Sequence, residues 1–566
     1  MSTLPLLALA FGGAAATLLA RRWPDASTAI GLAGLVAAFV AASGIVPGDE
    51  IPIAGGALVG SAYARLFLQL GAGIGLVLTM AGRLALGPGW PAYLPGALLA
   101  GLGAACLGLT VRDTTTAIVA TIGGGLAGVL LTVPEPASQR TVAVAARELR
   151  AIAVAGSLVI VATAWVARPL GVLVQDPAVF GLAYLGVALG VAMRFGAIPF
   201  HLWAARVAEA APEIALPVLM AWGPAVLAVV GLAWVDGSIA PVLPVAGELP
   251  AERALIIGVG VSSMILGAIA AWIQDDLEHV VGYTIMQDAG VVVLAFAALD
   301  PGVWAPSRTW VLCLLAARTA FAAWAMAIDA RFGTRRVPDL GGWARRSPVL
   351  AIALAAIAIA SVGWPGLAAF EARASIITQS VDEPLAALIL LGAVLPLLYY
   401  ARLFAIGIAR PSRASAAAAD DRLRRPSLPP PRRIPSGPLP SPWSLRTWGS
   451  WDALTRSIRL LRGLRPLPDV AAAALEVNRS LLVGILVLVL SSTAGVVSAG
   501  GFGLAAAAAE PAPQVPGTGE EPGPGSSPGP IGSPEIPGAS GGPATPGGGP
   551  GESPGGSSRS PGPSGS

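Results

Sequence analysis

A chain of 566 residues that is 55% hydrophobic and only 12% charged, with a mean hydropathy of +0.72, is too apolar to be a water-soluble globular protein, in which about a quarter of residues carry charge. The formal net charge of +3 rests on 35 basic residues that are all arginine; the excess of Ala, Gly, Pro and Arg is the composition expected of a GC-rich genome. Cys106 and Cys313 lie inside apolar runs and His201 and His279 are the only histidines, which excludes a disulfide framework, an iron–sulfur ligand set and a metal cluster.

Apolar runs of near-membrane length recur about fourteen times, near residues 4–20, 27–47, 62–82, 92–110, 114–133, 150–167, 178–197, 212–234, 254–273, 280–299, 309–328, 348–380, 383–406 and 480–503. The first, Met1 to Ala20, is followed by Arg21 and Arg22 instead of being preceded by basic residues, so it is expected to be a retained helix and not a cleaved signal peptide. The twelfth run is too long for one straight helix and contains Gly363, Trp364, Pro365 and Gly366, where a break is expected because proline removes a backbone donor and clashes with the preceding turn.

Charges in the loops alternate. Arg21, Arg22, Arg83, Arg140, Arg147, Arg150, Arg206, Arg331, Arg335, Arg336, Arg345 and Arg346 fall on one side, while Asp49, Glu50, Asp176, Asp236, Glu248, Asp300, Asp382 and Glu383 fall on the other. The positive-inside rule makes the arginine side cytoplasmic and puts both termini outside the plasma membrane of a prokaryote. Four parts follow: a membrane domain over 1–406 with helices 1 to 13, a cytoplasmic Pro/Arg-rich insert over 407–479, a last transmembrane helix over 480–508, and a tail over 509–566. Within the insert, Trp451 to Leu464 suits an amphipathic helix on anionic lipid or on a partner, or equally a solvated loop. The Pro/Gly/Ser tail has too little apolar surface to offset chain entropy and is expected to be disordered.

Three segments carry a resemblance. Arg194-Phe-Gly-Ala-Ile-Pro199-Phe200-His201-Leu-Trp203, followed by Pro212, is similar to the Lys-x-x-x-x-Pro-Phe-His-x-Trp signature of the antiporter-like membrane subunits of NADH:quinone oxidoreductase (complex I) and of Mrp-type cation/proton antiporters. Gln274-Asp-Asp276-Leu277-Glu278-His279-Val-Val-Gly282-Tyr283-Thr284 resembles the segment entering that family's tenth helix, and Gly363-Trp-Pro365-Gly366-Leu-Ala-Ala-Phe370-Glu371-Ala-Arg373 its broken twelfth. Leu398-Tyr399-Tyr400-Ala401-Arg402 resembles the end of the thirteenth, and the detail over residues 90–410 is most similar to the N-type component of complex I or the D-type component of Mrp antiporters.

The resemblance implies an all-α polytopic fold of about 14 transmembrane helices with two inverted five-helix repeats, helices 7 and 12 being broken at Pro199 and Pro365. It implies a non-redox subunit that contributes to proton or cation translocation coupled to quinone reduction, with quinone, NADH, flavin and iron–sulfur clusters on partner subunits and no cofactor or nucleic acid on this chain. Arg194 and Arg373 stand where the family has lysines; an arginine keeps its proton, so it can set a field but relays protons poorly. Ile122 and Pro224 stand at a family glutamate and a family lysine, which puts translocation itself in question.

Other ionisable groups at bilayer depth are candidates for the pathway, since each costs roughly 2.5–3.5 kcal/mol to insert and normally has a partner. Asp288 is expected to pair with Arg318, and Glu371 with Arg373, leaving the carboxylates as titratable elements; the alternative is static ion pairs between helices. His201 is a candidate relay, since imidazole titrates near neutrality, or else a helix-end residue orienting a neighbour. Competing readings are an Mrp-type antiporter component, a non-conducting structural paralogue, and a lipid-linked glycosyltransferase with Asp49 and Glu50 as metal ligands.

Overall fold

A computed structural model of the chain describes residues 3–53, 56–87, 90–133, 138–166, 177–240, 249–410 and 469–511; most of the insert and nearly all of the tail, including the amphipathic stretch 451–464, lie outside them. Among the described residues, twelve helices are long and apolar enough to cross a membrane, and two shorter apolar helices, Leu94–Thr110 and Pro348–Val362, fill the fourth and twelfth places. The fourteen spans expected from hydropathy are therefore all present.

They begin with α1 (Thr3–Leu19), α2 (Pro24–Ser43), α3 (Ala62–Leu86), α4 (Leu94–Thr110), α5 (Thr114–Val129) and α6 (Gln139–Val166). Between α2 and α3 the chain turns through an antiparallel hairpin, β1 (Glu50–Ile53) and β2 (Gly56–Val59), with Glu50 opposite Val59. Alternating Ile51, Ile53 and Leu58 fit such a ribbon at a membrane surface, a feature that a search for long apolar runs passes over.

The seventh span is α7 (Pro177–Phe195), which stops at Gly196 (φ +67°) and resumes beyond Pro199 as α8 (Leu202–Ala210). The twelfth is α14 (Pro348–Val362), which stops at Gly363 (φ +69°) and resumes beyond Pro365 as α15 (Ala368–Ser380). In both, glycine takes a backbone conformation closed to most side chains and proline withholds an N–H, so the helix cannot run on. Spans seven and twelve are five apart, an odd number, so these two broken helices cross in opposite directions, as inverted five-helix repeats require.

Two spans are more irregular than expected. The eighth, read as one helix over 212–234, runs through a 3-10 turn (Glu213–Ala215), a π-helical turn (Val218–Trp222), α9 (Gly223–Trp234) and a second π turn (Val235–Ile239). Pro212, Pro217 and Pro224 explain the irregular start of this span, because each deletes one donor from the helical ladder. The thirteenth, read as continuous over 383–406, is α16 (Glu383–Gly392), a turn, and α17 (Pro396–Ile408).

The centre is α11 (Leu277–Ala298) and α12 (Trp304–Phe332), buried nearly all round, with α10 (Pro250–Ile273) laid along α11. The short α13 (Trp343–Arg346) precedes α14, and α18 (Asp469–Ser498) returns to lie against α12, α14 and α3 before α19 (Leu504–Ala509) ends the described chain. α1, α2, α5 and α6 instead leave large side chains such as Phe39, Val119, Leu126 and Val161 exposed. On a chain of this hydropathy those faces belong against lipid.

Candidate functional site

Buried charge among the described residues falls in two clusters and one belt, apart from Arg308 of α12, which is 2% exposed, lies over the Tyr63 ring and donates to the Ala508 carbonyl at 3.1 Å. In the first cluster Arg194, on the last turn of α7, is 5% exposed and donates from Nη1 to the Leu219 carbonyl at 3.2 Å. In a π turn a carbonyl finds its donor five residues ahead, and for Leu219 that residue is Pro224, which has no N–H. Gly125 gives the guanidinium room, since a Cβ there would come within 2.8 Å of Nη2.

The carboxylate that interacts electrostatically with Arg194 is Glu148, which is fully buried on α6 and accepts a 2.6 Å hydrogen bond from the Thr132 hydroxyl. Hydropathy alone starts the sixth span at residue 150 and so leaves Glu148 in a loop. A signal is nevertheless present: Val144, Glu148, Ile152, Ala155 and Val159 form one buried helical stripe, and Glu148 lies on it. Ile122, at the position of the family's glutamate, instead abuts Gly156.

The second cluster centres on Asp288 of α11 and Arg318 of α12, joined by a 2.6 Å Nε–Oδ2 bond with side chains 4% and 0% exposed. Arg318 Nη1 donates to the Tyr400 hydroxyl at 3.2 Å, and Tyr400 donates to Ser361 Oγ at 2.9 Å beside the break after α14. Trp310 Nε1 donates to the Asp288 carbonyl at 3.2 Å.

Arg373 joins this cluster, and the expected Glu371–Arg373 pair does not form. Two residues apart on α15, they point to opposite faces. Glu371 is exposed and accepts from the Gly366 N–H at 3.3 Å, whereas Arg373 is 4% exposed and donates to the Ala393 carbonyl at 3.3 Å. That carbonyl is free for the same kind of reason as Leu219's. Pro396 has no N–H three residues on, and the Leu397 N–H is engaged by Val394.

A polar step lies between the clusters. Trp222 of the π turn donates to Thr319, next to Arg318, at 3.0 Å. Both line a cavity of about 50 Å³ whose walls include Gly125 and Gly223, the two glycines against Arg194. Its volume admits water, but most of its lining is apolar.

The belt lies at the end of the bundle that carries the arginine-rich loops. Glu209 accepts from Arg140 (2.7 Å) and Arg206 (2.9 Å) and has His279 Nε2 at 3.7 Å. Burial raises the Glu209 carboxyl, but the hydrogen bonds from Arg140 and Arg206 outweigh it and hold the group below the usual range. Arg335 reaches Glu213 (2.8 Å), Glu278 (2.9 Å) and Asp329 (3.1 Å), so the Gln274-to-Thr284 motif opens inside this belt. His201 stands at the start of α8, half-buried, with Nδ1 unpartnered and no ion pair among the described residues; it belongs to neither cluster. No group of three or more metal-ligating side chains occurs among the described residues, Asp49 and Glu50 included.

The fold and these buried charges define a multi-pass helical membrane protein with two broken spans and ion pairs in its core. Residues 154–398 match the family described as NADH:quinone oxidoreductase/Mrp antiporter, transmembrane, so the resemblance carried by the three motifs holds over the stretch that contains both breaks. The NADH-quinone oxidoreductase subunit N of Hydrogenovibrio crunogenus is 27% identical over 235 residues, 40% of this chain and 47% of that one. The chain thus spans about half the length of the curated relatives it matches. Among solved structures, a chain of the Mrp complex from a Dietzia species superposes with a TM-score of 0.61 at 19% identity, covering 74% of this chain and 49% of that one. A chain of respiratory complex I from Thermus thermophilus gives 0.56 at 18% identity, covering 74% and 96%. At such identities these likenesses establish the fold.

Proposed function

We propose that this protein is a non-redox membrane subunit of an NADH:quinone oxidoreductase-like assembly, contributing to proton translocation through the carboxylates Glu148 and Asp288. The observation that carries the reading is a buried carboxylate with buried arginine in each inverted half, Glu148 with Arg194 and Asp288 with Arg318 and Arg373. Such groups are expensive at bilayer depth and are retained where they face an ion path. Because arginine does not give up its proton, Arg194, Arg318 and Arg373 act here as fixed fields, and the carboxylates alternately hold and release the proton. Water in the cavity between Arg194 and Thr319 would connect the halves, and its apolar walls would make that hydration a gate.

On this reading the arginine-rich end faces the cytoplasm, the belt around Glu209 and His279 gathers protons there, and NADH, flavin, iron–sulfur and quinone chemistry belongs to partner subunits. The chain's own breaks and buried ion pairs would respond to a charge or conformational change delivered by a neighbour. The Mrp-type assembly is the second reading, favoured by the fold likeness to the Dietzia chain.

The test is proton flux in vesicles containing the natively purified assembly, comparing wild type with Glu148→Gln and Asp288→Asn after subunit retention is verified. Flux lost in both variants with the assembly intact supports the proposal. Unchanged flux in both makes the chain a non-conducting paralogue.

A further inference from the structure

The two halves differ in charge balance. In the first, one carboxylate, Glu148, stands against one guanidinium, Arg194. In the second, one carboxylate, Asp288, faces two guanidiniums, Arg318 and Arg373, and both arginines interact with it. No other charged side chain among the described residues enters this cluster: Glu371, the nearest in sequence, is exposed on the far face of α15. Arginine stays protonated, so the cluster carries a surplus positive charge inside a membrane-embedded core.

Both arginines and a neighbouring tyrosine, Tyr399, leave donors unused. Arg318 Nη2, Arg373 Nε and the Tyr399 hydroxyl are buried and make no hydrogen bond of regular geometry, the Tyr399 hydroxyl lying against the Arg318 guanidinium. They belong to one place: the Tyr399 ring lies against that of Tyr400, tilted by 51° with centroids 4.5 Å apart, Tyr400 is bonded to Arg318, and Arg373 interacts electrostatically with both Arg318 and Tyr399. Arg373 is also held over the Trp310 ring at 5.7 Å, whose Nε1 is bonded to the Asp288 carbonyl. Water could satisfy the donors but could not remove the surplus charge, whose burial is unfavourable in a medium of low dielectric.

We propose that Arg318, Arg373 and Tyr399 form a binding site for a small monovalent anion of the halide class. The anion would accept from the three unused donors and neutralise the cluster as a resident counter-ion. It is small and monovalent because the donors are buried and the surplus is one positive charge. The inference does not depend on whether the chain conducts protons.

The experiment is chloride-35 NMR line broadening on the full chain in detergent, with gluconate as the inert anion and bromide as competitor. Wild type is expected to broaden the chloride line and to lose the broadening as bromide is added. Arg373→Gln, which removes the surplus charge, should reduce the bromide-sensitive part several-fold, and Arg373→Lys should keep most of it. Tyr399→Phe, which removes one donor and no charge, should reduce it by a smaller factor, so the claim stays decidable if Arg373→Gln does not fold. Absence of bromide-sensitive broadening in wild type would mean that water alone fills the donors, and equal broadening in all variants would put the halide elsewhere; either result overturns the proposal. So would a signal found in the isolated chain but lost in the native assembly, since a partner's carboxylate would then be the counter-ion.

Discussion

The Arg194 guanidinium donates to the Leu219 carbonyl at 3.2 Å, and that carbonyl is available because Pro224 stands where its π-turn donor would be. Arg373 and Ala393 repeat the relationship in the opposite half, with Pro396 withholding the donor. In each half an arginine from the broken helix is anchored to a carbonyl that a proline in the following span has released. A guanidinium held this way is positioned by a backbone carbonyl and not by a direct ion pair.

Pro224→Ala tests this anchoring. The new N–H competes with Arg194 for the Leu219 carbonyl and favours a regular helix, since proline inside a helix costs about 3 kcal/mol relative to alanine. We expect a protein at least as stable as wild type by thermal unfolding but with reduced proton flux in vesicles. Flux equal to wild type would show that Arg194 does not act through this contact.

Asp288→Asn leaves Arg318 buried without its counter-charge and should destabilise the chain by about 3–5 kcal/mol, measured as a loss of thermal or denaturant resistance. Adding Arg318→Met should recover much of that loss, because an apolar side chain carries no charge to desolvate. Additive single-mutant effects in the cycle would contradict the tight pairing seen at 2.6 Å.

Glu371→Gln is expected to be nearly silent, within about 0.5 kcal/mol in stability, because Glu371 is exposed and only its neutral-compatible contact to the Gly366 N–H is touched. Arg373→Met, two residues away, should alter flux markedly. Equal effects of the two substitutions would restore the pairing expected from their adjacency in sequence.

Glu209 gives a pH dependence with a definite sign. Its carboxyl is held low in the folded state, so the stabilisation is fully present above the unfolded glutamate value of about 4.3 and is lost as pH falls through the lower folded value. Hydrogen exchange around α8 should therefore be faster in Glu209→Gln than in wild type at pH 6 to 7, with the difference closing on acidification below about pH 4. A difference that persisted unchanged into acid would assign the effect to packing.

Span number, the two breaks and the Asp288–Arg318 pair are legible along the chain, because hydropathy, Gly-Pro punctuation and the cost of lone buried charges act locally or between neighbouring helices. Glu148 is legible in principle from the spacing of its apolar neighbours. A boundary for α6 drawn at the last exposed arginine passes over it, although a helix can carry Arg147 and Arg150 on one side while burying Glu148 on another. Glu371 misleads for the complementary reason: adjacency in sequence is not adjacency on a helix surface.

By itself the sequence determined that this is a polytopic helical membrane protein, where its helices cross, which of them break and which family it resembles, since each of these follows from composition, periodicity and the chemistry of proline and glycine. Only the tertiary structure decided which charges meet. It brought Glu148 to Arg194, Arg373 to the Asp288 cluster, and two proline-freed carbonyls to two arginines. These contacts join different spans of the bundle, and they depend on helix rotation and register, which are set by packing across the whole bundle and are written in no single stretch of the chain.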